Sequence, residues 1–246
     1  MHTSEYKNMF DNEQKYWWYV ALHTLIFKTL VKYKINSNAK IIDAGCGTGG
    51  LLEFLTQKGF SNLQGFDYSI DAVDFCKKRG LDYCFQQDLN TWDPDQKYDV
   101  IISNDVLYHK NILDDTKVLE SFKNALTPGG LLILNLPAFE LLKRKHDIVV
   151  ETKKRYTIKS LNASTKNIGL TKLFISYRLP LLFLFISISK LIENITKKES
   201  KSDLDSISTF MNSLLLKMNV LENKLLLNGF KFPFGTSVFV IYKNND

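Results

Sequence analysis

A glycine-rich stretch near the start of the chain has the residue types and the spacing of a cofactor-binding loop. Residues 41–50 read IIDAGCGTGG, so an apolar run leads into closely spaced glycines, and an amphipathic pattern follows over residues 51–57. Glycine permits a tight turn and a close approach of the backbone to a ligand, and the free N–H groups of the next helix point at that ligand. The pattern therefore predicts a strand, a nucleotide-binding turn and a helix.

Two templates fit these glycines. Gly45, Gly47 and Gly50 match the G-x-G-x-x-G spacing of dinucleotide sites. An acid-x-G-x-G-x-G spacing is matched instead by Asp43, Gly45, Gly47 and Gly49. The glycines alone leave both open, but a dinucleotide loop faces a pyrophosphate, for which the Asp43 carboxylate is an unfavourable neighbour.

A second acidic residue follows the next predicted strand at a spacing that suits a nucleoside. Asp67 ends strand 63–67 and lies 22 residues beyond Gly45. A carboxylate at this place can accept hydrogen bonds from both ribose hydroxyls. The alternative for Asp67 is a helix N-cap, although Ser69 and Asp71 are also available for that role.

These features, together with a helix–Pro-Gly-Gly–strand junction at residues 127–130, occur in the order found in class I S-adenosylmethionine (SAM) methyltransferases. The chain resembles that family from about residue 40 to 137. The resemblance implies SAM as cofactor, S-adenosylhomocysteine as product, and an adenine contact at Asp88 with Leu89 flanking the ring; an Asx-turn is the alternative for Asp88. The cofactor-binding residues that it implies are Asp43, Gly45, Cys46, Gly47, Gly49, Asp67, Tyr68, Asp88, Leu89 and Asn104.

The third and fifth strands are predicted at 81–85 and 131–136, and the candidate catalytic residues follow the fourth predicted strand, 98–104. Ligands of doubly wound sheets bind at the carboxyl ends of the strands, where the winding reverses. His109 lies just past this strand and could orient or deprotonate an acceptor, because imidazole titrates near neutral pH. A structural histidine is the alternative. His146 is a second candidate base, and Asp105 is expected behind the two histidines.

Aromatic and charged segments supply the expected acceptor side. Trp17 and Trp18 belong to a predicted N-terminal helical segment, where their rings cover a ligand as a lid or pack in the core. The resemblance places Tyr108 towards the acceptor. It also extends to His-Asp and Arg-Tyr pairs of small-molecule methyltransferases, here at 146–147 and 155–156, in which the acid fixes the histidine. A structural ion pair is the alternative; the substrate-binding candidates from the second pair are Arg155 and Tyr156.

The elements that must position these residues form one α/β domain, 1–246. The resemblance implies a Rossmann-like, doubly wound, mostly parallel seven-stranded sheet with an antiparallel last strand, an N-terminal helical lid and a helical insertion before the last strand. Helical periodicity is expected over residues 4–34. The expected parts are the lid at 1–37, the SAM-binding core at 38–137, the acceptor-side segment and sixth strand at 138–177, the insertion at 178–236 and the last strand at 237–246.

The insertion carries an apolar run at residues 179–188, which is too short to span a membrane. Two interpretations remain open: a helix over the acceptor pocket or in a dimer interface, and an interfacial segment that serves a lipid-linked acceptor. A charged linker at 197–205 and a helix at 207–227 are expected to follow. The first interpretation predicts a monomer or a homodimer. The second predicts peripheral contact of residues 179–188 with a membrane.

Composition narrows the classes of partner. The formal charge is +6, but 32 basic residues are interspersed with 26 acidic ones in short runs, which disfavours nucleic acid. Three cysteines and four histidines have no metal-ligand spacing, so no metal is expected. The cysteine usage and a polar N-terminus without a signal-peptide pattern favour a reduced, cytoplasmic protein.

The sequence therefore predicts a SAM-dependent methyltransferase that transfers a methyl group by in-line displacement to a small-molecule acceptor, such as a sugar or a lipid-linked compound. The alternatives are an RNA methyltransferase, a catalytically silent SAM-binding partner protein and an NAD(P)-dependent oxidoreductase.

Overall fold

The computed structural model describes residues 3–144, 147–148, 150–196 and 208–246, and side chains in residues 5–144, 147–148, 150–188 and 208–246. The strands are β1 (Ile41–Ala44), β2 (Leu63–Asp67), β3 (Cys84–Gln86), β4 (Tyr98–Asn104), β5 (Leu126–Pro137), β6 (Leu170–Arg178) and β7 (Ser237–Asn244). The helices are α1 (Thr3–Asn12), α2 (Trp17–Lys32), α3 (Gly50–Gln57), α4 (Ile70–Lys78), α5 (Asp115–Ala125), α6 (Ile158–Thr165), α7 (Pro180–Thr196) and α8 (Thr209–Leu227).

The described strands form one seven-stranded sheet in the order β3-β2-β1-β4-β5-β7-β6. Strands β1 to β5 pair in parallel, and β7 lies antiparallel between β5 and β6. The winding reverses between β1 and β4, which places a ligand-binding crevice at the carboxyl ends of these two strands. The predicted Rossmann-like fold with an antiparallel last strand is confirmed.

Apolar side chains cover both faces of the sheet, as parallel strands require. Adjacent Ile101 and Ile102 of β4 belong to opposite core layers, because successive strand residues point to opposite faces. Phe122 of α5 packs in the layer of Ile101, and Ile26 of α2 and Leu52 of α3 pack in the layer of Ile102. The helices that flank β1 are thereby fixed against the strand that carries the glycine loop.

Three element boundaries differ from the expected ones. The N-terminal helical stretch is two helices, because the chain turns at Glu13 and is extended at Tyr16 (φ −78°, ψ 130°). The third strand begins at Cys84 instead of residue 81, because the Leu81 N–H still bonds the Cys76 carbonyl at the end of α4. Strand β5 begins at Leu126, with a register shift against β4 where a start at residue 131 was expected.

The described part of the insertion carries helices α7 and α8, as predicted. Its apolar run lies in α7, and α8 packs beside α2, where Asn223 Nδ2 donates to the Ala21 carbonyl at 2.8 Å. The expected linker at 197–205 lies outside the described residues. Within the described part of the chain, no helix is both long and apolar enough to cross a bilayer.

Candidate cofactor and acceptor site

A cavity of about 2330 Å³ opens at the carboxyl ends of β1, β2 and β4 and is walled on the other side by α1, α2, α7 and α8. Most of the residues singled out from the sequence line it. They are Trp17, Trp18, Asp43, Gly45, Cys46, Gly47, Asp67, Tyr68, Asp88, Leu89, Asn104, Asp105, Tyr108, His109 and Arg155. Gly49 and Tyr156 are not among the lining residues, and His146 lies outside the described residues.

The glycine loop, residues 45–49, turns tightly beneath the cavity. The N–H groups of Gly45 and Cys46 both donate to the Phe66 carbonyl of β2 at 2.8 Å. Gly45 has φ +84°, and a Cβ there would lie 2.3 Å from Cγ2 of Val106. Gly49 has φ +83° and caps α3, so it shapes the loop from behind and does not line the cavity. The glycines are therefore required by the turn and by the residues packed against it.

Asp67, at the end of β2, is bonded to the loop it faces. Its Oδ2 accepts from the Gly47 N–H at 3.0 Å, and its Oδ1 accepts from the Ser69 N–H at 2.9 Å. Burial raises the pKa of Asp67 from its ordinary value, and the two backbone donors oppose that rise. Each carboxylate oxygen has a second lone pair, so Asp67 retains acceptor capacity for ligand hydroxyls.

Three buried polar atoms of cavity-lining residues have no hydrogen-bond partner in the protein. Their chemistry can be compared with that of a cofactor that carries an amino-acid group. Asp43 Oδ1 and Asn104 Oδ1 are acceptors, and Trp17 Nε1 is a donor. An unpartnered buried polar atom is costly, so such atoms mark positions where a ligand completes the hydrogen bonding. The amino-acid moiety of SAM carries an ammonium donor and a carboxylate acceptor. The orphaned atoms match that chemistry, and the residues present fit the cofactor.

Asp88 lies at the cavity, where an adenine contact is predicted, and it also forms the Asx-turn that is the alternative interpretation. Its Oδ1 accepts from both the N–H and the side-chain amide of Asn90 at 2.8 Å, which is an Asx-type turn opening a short 3-10 segment, Leu89–Thr91. Leu89 is buried and lines the cavity. The turn holds the Asp88 carboxylate at the cavity wall, and its adenine contact stays a prediction.

Glu13 and Arg79 fix the N-terminal segment to the glycine loop, and sequence reasoning missed both. Glu13 Oε2 accepts from the Gly50 N–H at 3.1 Å and from Arg79 Nη2 at 3.0 Å, and it also bonds the Thr48 hydroxyl. Arg79 Nη1 pairs with Glu53 at 2.6 Å. Burial raises the pKa of Glu13 to about 7, against the opposing effects of Thr48 and Arg79. The partners are far apart in the chain, so no local pattern indicates them.

Asp105 lies at the junction between the cofactor end and the acceptor end. It adopts φ 53°, a left-handed conformation that aspartate tolerates better than most residues. Its Oδ2 accepts from Asn135 Nδ2 at 2.8 Å, and Arg178 Nη1 donates to Asn135 Oδ1 at 3.0 Å. Burial raises the pKa of Asp105 to about 6, and Asn135 and the two nearby arginines limit the rise. A carboxylate with this pKa can accept a proton near neutral pH.

His109 is less suited to act as a base than the sequence suggested. Its Nδ1 accepts from the Asn111 N–H at 3.2 Å, which leaves the proton on Nε2, and Nε2 lies 3.2 Å from Glu151 Oε2. Burial lowers the pKa of His109. In this arrangement the free lone pair of the ring is already used, so His109 is held in place as a wall residue. Its catalytic role stays a prediction.

Asp147 forms an ion pair with Arg155, and its expected contact with His146 lies outside the described residues. Arg155 donates two parallel hydrogen bonds to Asp147, from Nε to Oδ1 at 2.8 Å and from Nη2 to Oδ2 at 2.9 Å. Burial opposes ionisation of Asp147, but the bonds from Arg155 and from the Arg144 N–H outweigh it and lower the pKa of the acid. The geometry therefore corresponds to the structural ion pair that was the alternative interpretation. Arg155 is bound to an internal carboxylate at the edge of the cavity.

Tyr156 is corrected from a substrate-binding residue to a core residue. Its ring is buried, and its hydroxyl bonds the Leu107 carbonyl and Asp115 Oδ2, each at 3.0 Å. The chain direction after Arg155 turns this side chain towards α5, away from the cavity. Its contacts connect the segment after β5 to the segment after β4.

Comparisons with known proteins agree with this geometry. A family model described as a methyltransferase domain matches residues 20–173, more than half of the chain. Phosphoethanolamine N-methyltransferase 1 of Arabidopsis thaliana is 27% identical over 110 residues, which cover 42% of this chain and 22% of that protein. Trans-aconitate 2-methyltransferase of Rhizobium rhizogenes is 27% identical over 118 residues, covering 47% and 44%. Probable tRNA methyltransferase 9B of Bos taurus is 30% identical over 128 residues, covering 50% and 28%.

The chain thus spans less than half of the length of these curated relatives. Among solved structures, one chain from a complex of the Haloferax volcanii Trm112 methyltransferase activator with a methyltransferase has a similar fold. Its TM-score is 0.64 at 15% identity, and the match covers 99% of this chain and 94% of that one. The plantazolicin methyltransferase BpumL, solved with S-adenosylhomocysteine, gives 0.62 at 15% identity, covering 99% and 91%. These likenesses show the fold. Because the family model matches residues 20–173, which include the whole glycine loop and strands β1 to β5, this chain belongs to the methyltransferase-domain family.

Proposed function

We propose that this protein is a SAM-dependent methyltransferase whose acceptor is a small molecule with an apolar part. One observation carries the proposal: a single cavity joins the glycine loop and its acidic residues to an apolar wall made by the insertion helices. SAM supplies the methyl group on a sulfonium, which is a good leaving group. The protein must hold the acceptor close to that methyl group and exclude water.

The cavity lining contains more acidic than basic residues, which suits a cationic cofactor. Seven acidic and three basic residues occur among the described lining residues: Glu5, Glu13, Asp43, Asp67, Asp88, Asp105 and Asp147 against Lys143, Arg144 and Arg155. We assign Asp67 to the ribose, Asp88 and Leu89 to the adenine, and Asp43 with Asn104 to the ammonium group. Negative walls stabilise the positive charges of SAM relative to water-exposed positions.

The same charge balance disfavours an RNA acceptor. Nucleic acids bind mainly through lysine and arginine contacts to phosphates. A cavity lined mainly by acidic residues repels such a polyanion. We therefore do not extend the tRNA named for one relative to this chain. A silent SAM-binding protein would be expected to have a closed pocket near residues 104–109, whereas Asn104, Asp105, Tyr108 and His109 all line the open cavity. Both observations support a small-molecule enzyme.

The acceptor end is apolar and continues onto the surface. Leu181, Phe185 and Ile186 of α7 and Leu215 and Met218 of α8 line the cavity. An exposed stripe at helical spacing on α7 is formed by Leu181, Leu184, Phe185 and Ile188, and it shares Leu181 and Phe185 with the cavity lining. Exposed apolar stripes that lead into a cavity suit an acceptor with a long apolar chain. We therefore propose a lipid-linked acceptor, reached through peripheral contact of residues 179–188 with a membrane.

Calorimetric titration of the protein with S-adenosylhomocysteine, and in parallel with NADH, tests the cofactor assignment. We expect micromolar binding of the first alone; binding of NADH alone would overturn the proposal. Methyl transfer from labelled SAM to matched acceptors with and without an acyl chain then tests the acceptor class.

Phe185→Ser is the sharper test of the apolar entrance. We expect it to raise KM for the acyl-chain acceptor at unchanged cofactor affinity. Leu173→Ser is the matched control, because Leu173 is also exposed but lies on β6 and does not line the cavity. Equal effects of the two variants, or no preference for the acyl-chain acceptor, would refute the apolar entrance.

A further inference from the structure

The three cysteines of the chain converge directly beneath the glycine loop. Cys46 belongs to the loop, Cys76 to α4 and Cys84 to the start of β3, and all three Sγ atoms lie within 4.8 Å of one another. Cys46 Sγ and Cys76 Sγ are 3.9 Å apart. The residues are buried, with 6%, 0% and 4% of their surfaces exposed. We call these three residues the cysteine cluster; their separation in the sequence gave no sign of it.

The spacing of the sulfurs suits a shared ion better than a covalent bond. A disulfide needs an S–S distance of about 2.05 Å. Three sulfurs bonded at about 2.3 Å to one central ion lie about 4.0 Å apart when the ion is in their plane. The observed 3.9 Å between Cys46 and Cys76 has that value, and the third sulfur is within reach of a small inward movement.

The donor set selects the class of ion. Thiolates are soft ligands that favour thiophilic d10 cations. Among the described histidine, cysteine, aspartate and glutamate residues, the group contains three cysteines and no histidine or carboxylate within the same distance. Zn²⁺ prefers four ligands in structural sites, whereas Cu(I) is stable with three thiolates.

We propose that the cysteine cluster is a three-coordinate binding site for a thiophilic monovalent cation of the Cu(I) class. Binding is a ligand exchange without electron transfer: each thiol that coordinates loses its proton to solvent or buffer, three S–metal bonds form, and the chelator or solvent ligands that held the ion are released. The ion reaches the site through the cavity, because Cys46 lines it.

The cluster is tied to the glycine loop, because Cys76 Sγ lies 3.3 Å from the Gly47 carbonyl. A bound ion would connect the loop to α4 and β3 at one point. The site rests on this chain's own residues and is independent of the acceptor.

Cu(I) titration tests the site. The reduced protein is titrated under anaerobic conditions with Cu(I) in competition with the coloured chelator bicinchoninate, and X-ray absorption is recorded on the loaded wild-type protein. We expect one Cu(I) per chain and three sulfur neighbours at about 2.3 Å. Failure to compete with the chelator, a fourth strong ligand, or a mass lower by two hydrogens from a disulfide would each overturn the proposal.

Variants locate the ligands. Cys76→Ser and Cys84→Ser should each weaken Cu(I) binding by at least tenfold, with circular dichroism used to confirm folding. Met211→Leu is the matched control: Met211 is exposed on α8, a helix that carries no residue of the cluster, so its loss should leave Cu(I) affinity unchanged. Wild-type affinity in Cys84→Ser, or an equal loss in Met211→Leu, would contradict the assignment. The absorption measurement on the wild-type protein decides the question even if a serine variant fails to fold.

Discussion

The side-chain amide of Asn135 donates to Asp105 at 2.8 Å, and the same amide accepts from Arg178 at 3.0 Å. Asn135 and Arg178 are fully buried at the carboxyl ends of β5 and β6. Because the amide has one donor end and one acceptor end, its orientation is fixed by an acid on one side and a cation on the other. The arrangement holds the Asp105 carboxylate at the cavity with a defined geometry.

Asp105→Asn should therefore lower turnover by about 100-fold or more while S-adenosylhomocysteine affinity stays within twofold, if Asp105 accepts the acceptor proton. The pKa of Asp105, raised by burial to about 6, sets the pH dependence. A base works when ionised, so the wild-type rate should rise with pH through about 6 and then level off. Steady-state rates from pH 5 to 8 measure this.

The matched control for Asp105 is Asp74→Asn, a surface aspartate on α4 that pairs with Lys77. It should keep the wild-type rate and pH profile. A wild-type rate in Asp105→Asn, or an unchanged rise near pH 6 in a slower variant, would remove Asp105 as the base and return attention to His109.

Asp67→Ala should weaken binding of S-adenosylhomocysteine by about 1 to 3 kcal/mol, because it removes the acceptor for the ribose hydroxyls. Asp67 also holds the Gly47 N–H, so loss of loop order could mimic that effect. Calorimetry with adenosine and with 2′,3′-dideoxyadenosine separates the two causes. The wild-type protein should prefer adenosine, and the variant should bind both alike; a preserved preference in the variant would exclude the ribose role.

The order of elements and the cofactor end of the cavity follow from local patterns in the sequence. The stretch around Asp43 and Gly45 encodes its own turn, and apolar runs such as β4 encode buried strands. The Glu13–Arg79 pair could not be predicted in this way, because its two members are 66 residues apart and meet only after α1 has packed on α4. Side chains that pair across a long separation in the sequence leave no periodic pattern from which their contact could be predicted.

The direction of side chains in irregular segments was also beyond sequence reasoning. The sequence predicts a His-Asp pair at 146–147 and an Arg-Tyr pair at 155–156, but whether Asp147 binds a histidine or Arg155 depends on a loop conformation. Tyr156 follows Arg155 directly and turns the opposite way into the core. Residues of loops have no strand or helix periodicity, so their inward and outward faces cannot be assigned in advance.

Trp17→Phe tests the unpartnered indole N–H. Phenylalanine keeps an aromatic ring but removes Nε1, the buried donor without a protein partner. If that N–H completes its bonding on the carboxylate of the cofactor, affinity for S-adenosylhomocysteine should fall by about 1.5 to 3 kcal/mol. Trp18→Phe is the control, because Trp18 lines the same cavity. Equal losses in both variants would indicate ring packing instead of a hydrogen bond.

The buried Glu13 carboxyl should make stability depend on pH in a distinct window. Burial raises its pKa from 4.5 to about 7, so the folded protein binds this proton more tightly than the unfolded chain. The stability that it contributes is complete below pH 4.5 and is lost as pH rises towards 7, by up to about 3 kcal/mol. Glu13→Gln removes the proton exchange, and its free energy of unfolding should fall less than that of the wild type over this range.

Urea unfolding followed by circular dichroism at pH 4.5, 5.5, 6.5 and 7.5 measures the effect as a difference between the two curves, which cancels most other titrating groups. Glu53→Gln is the matched control, since Glu53 pairs with the same Arg79 but is more exposed than Glu13. Its curve should keep the wild-type slope. Parallel curves for wild type and Glu13→Gln would show that folding does not raise the pKa of Glu13, with Arg79 stabilising the carboxylate at least as much as burial destabilises it.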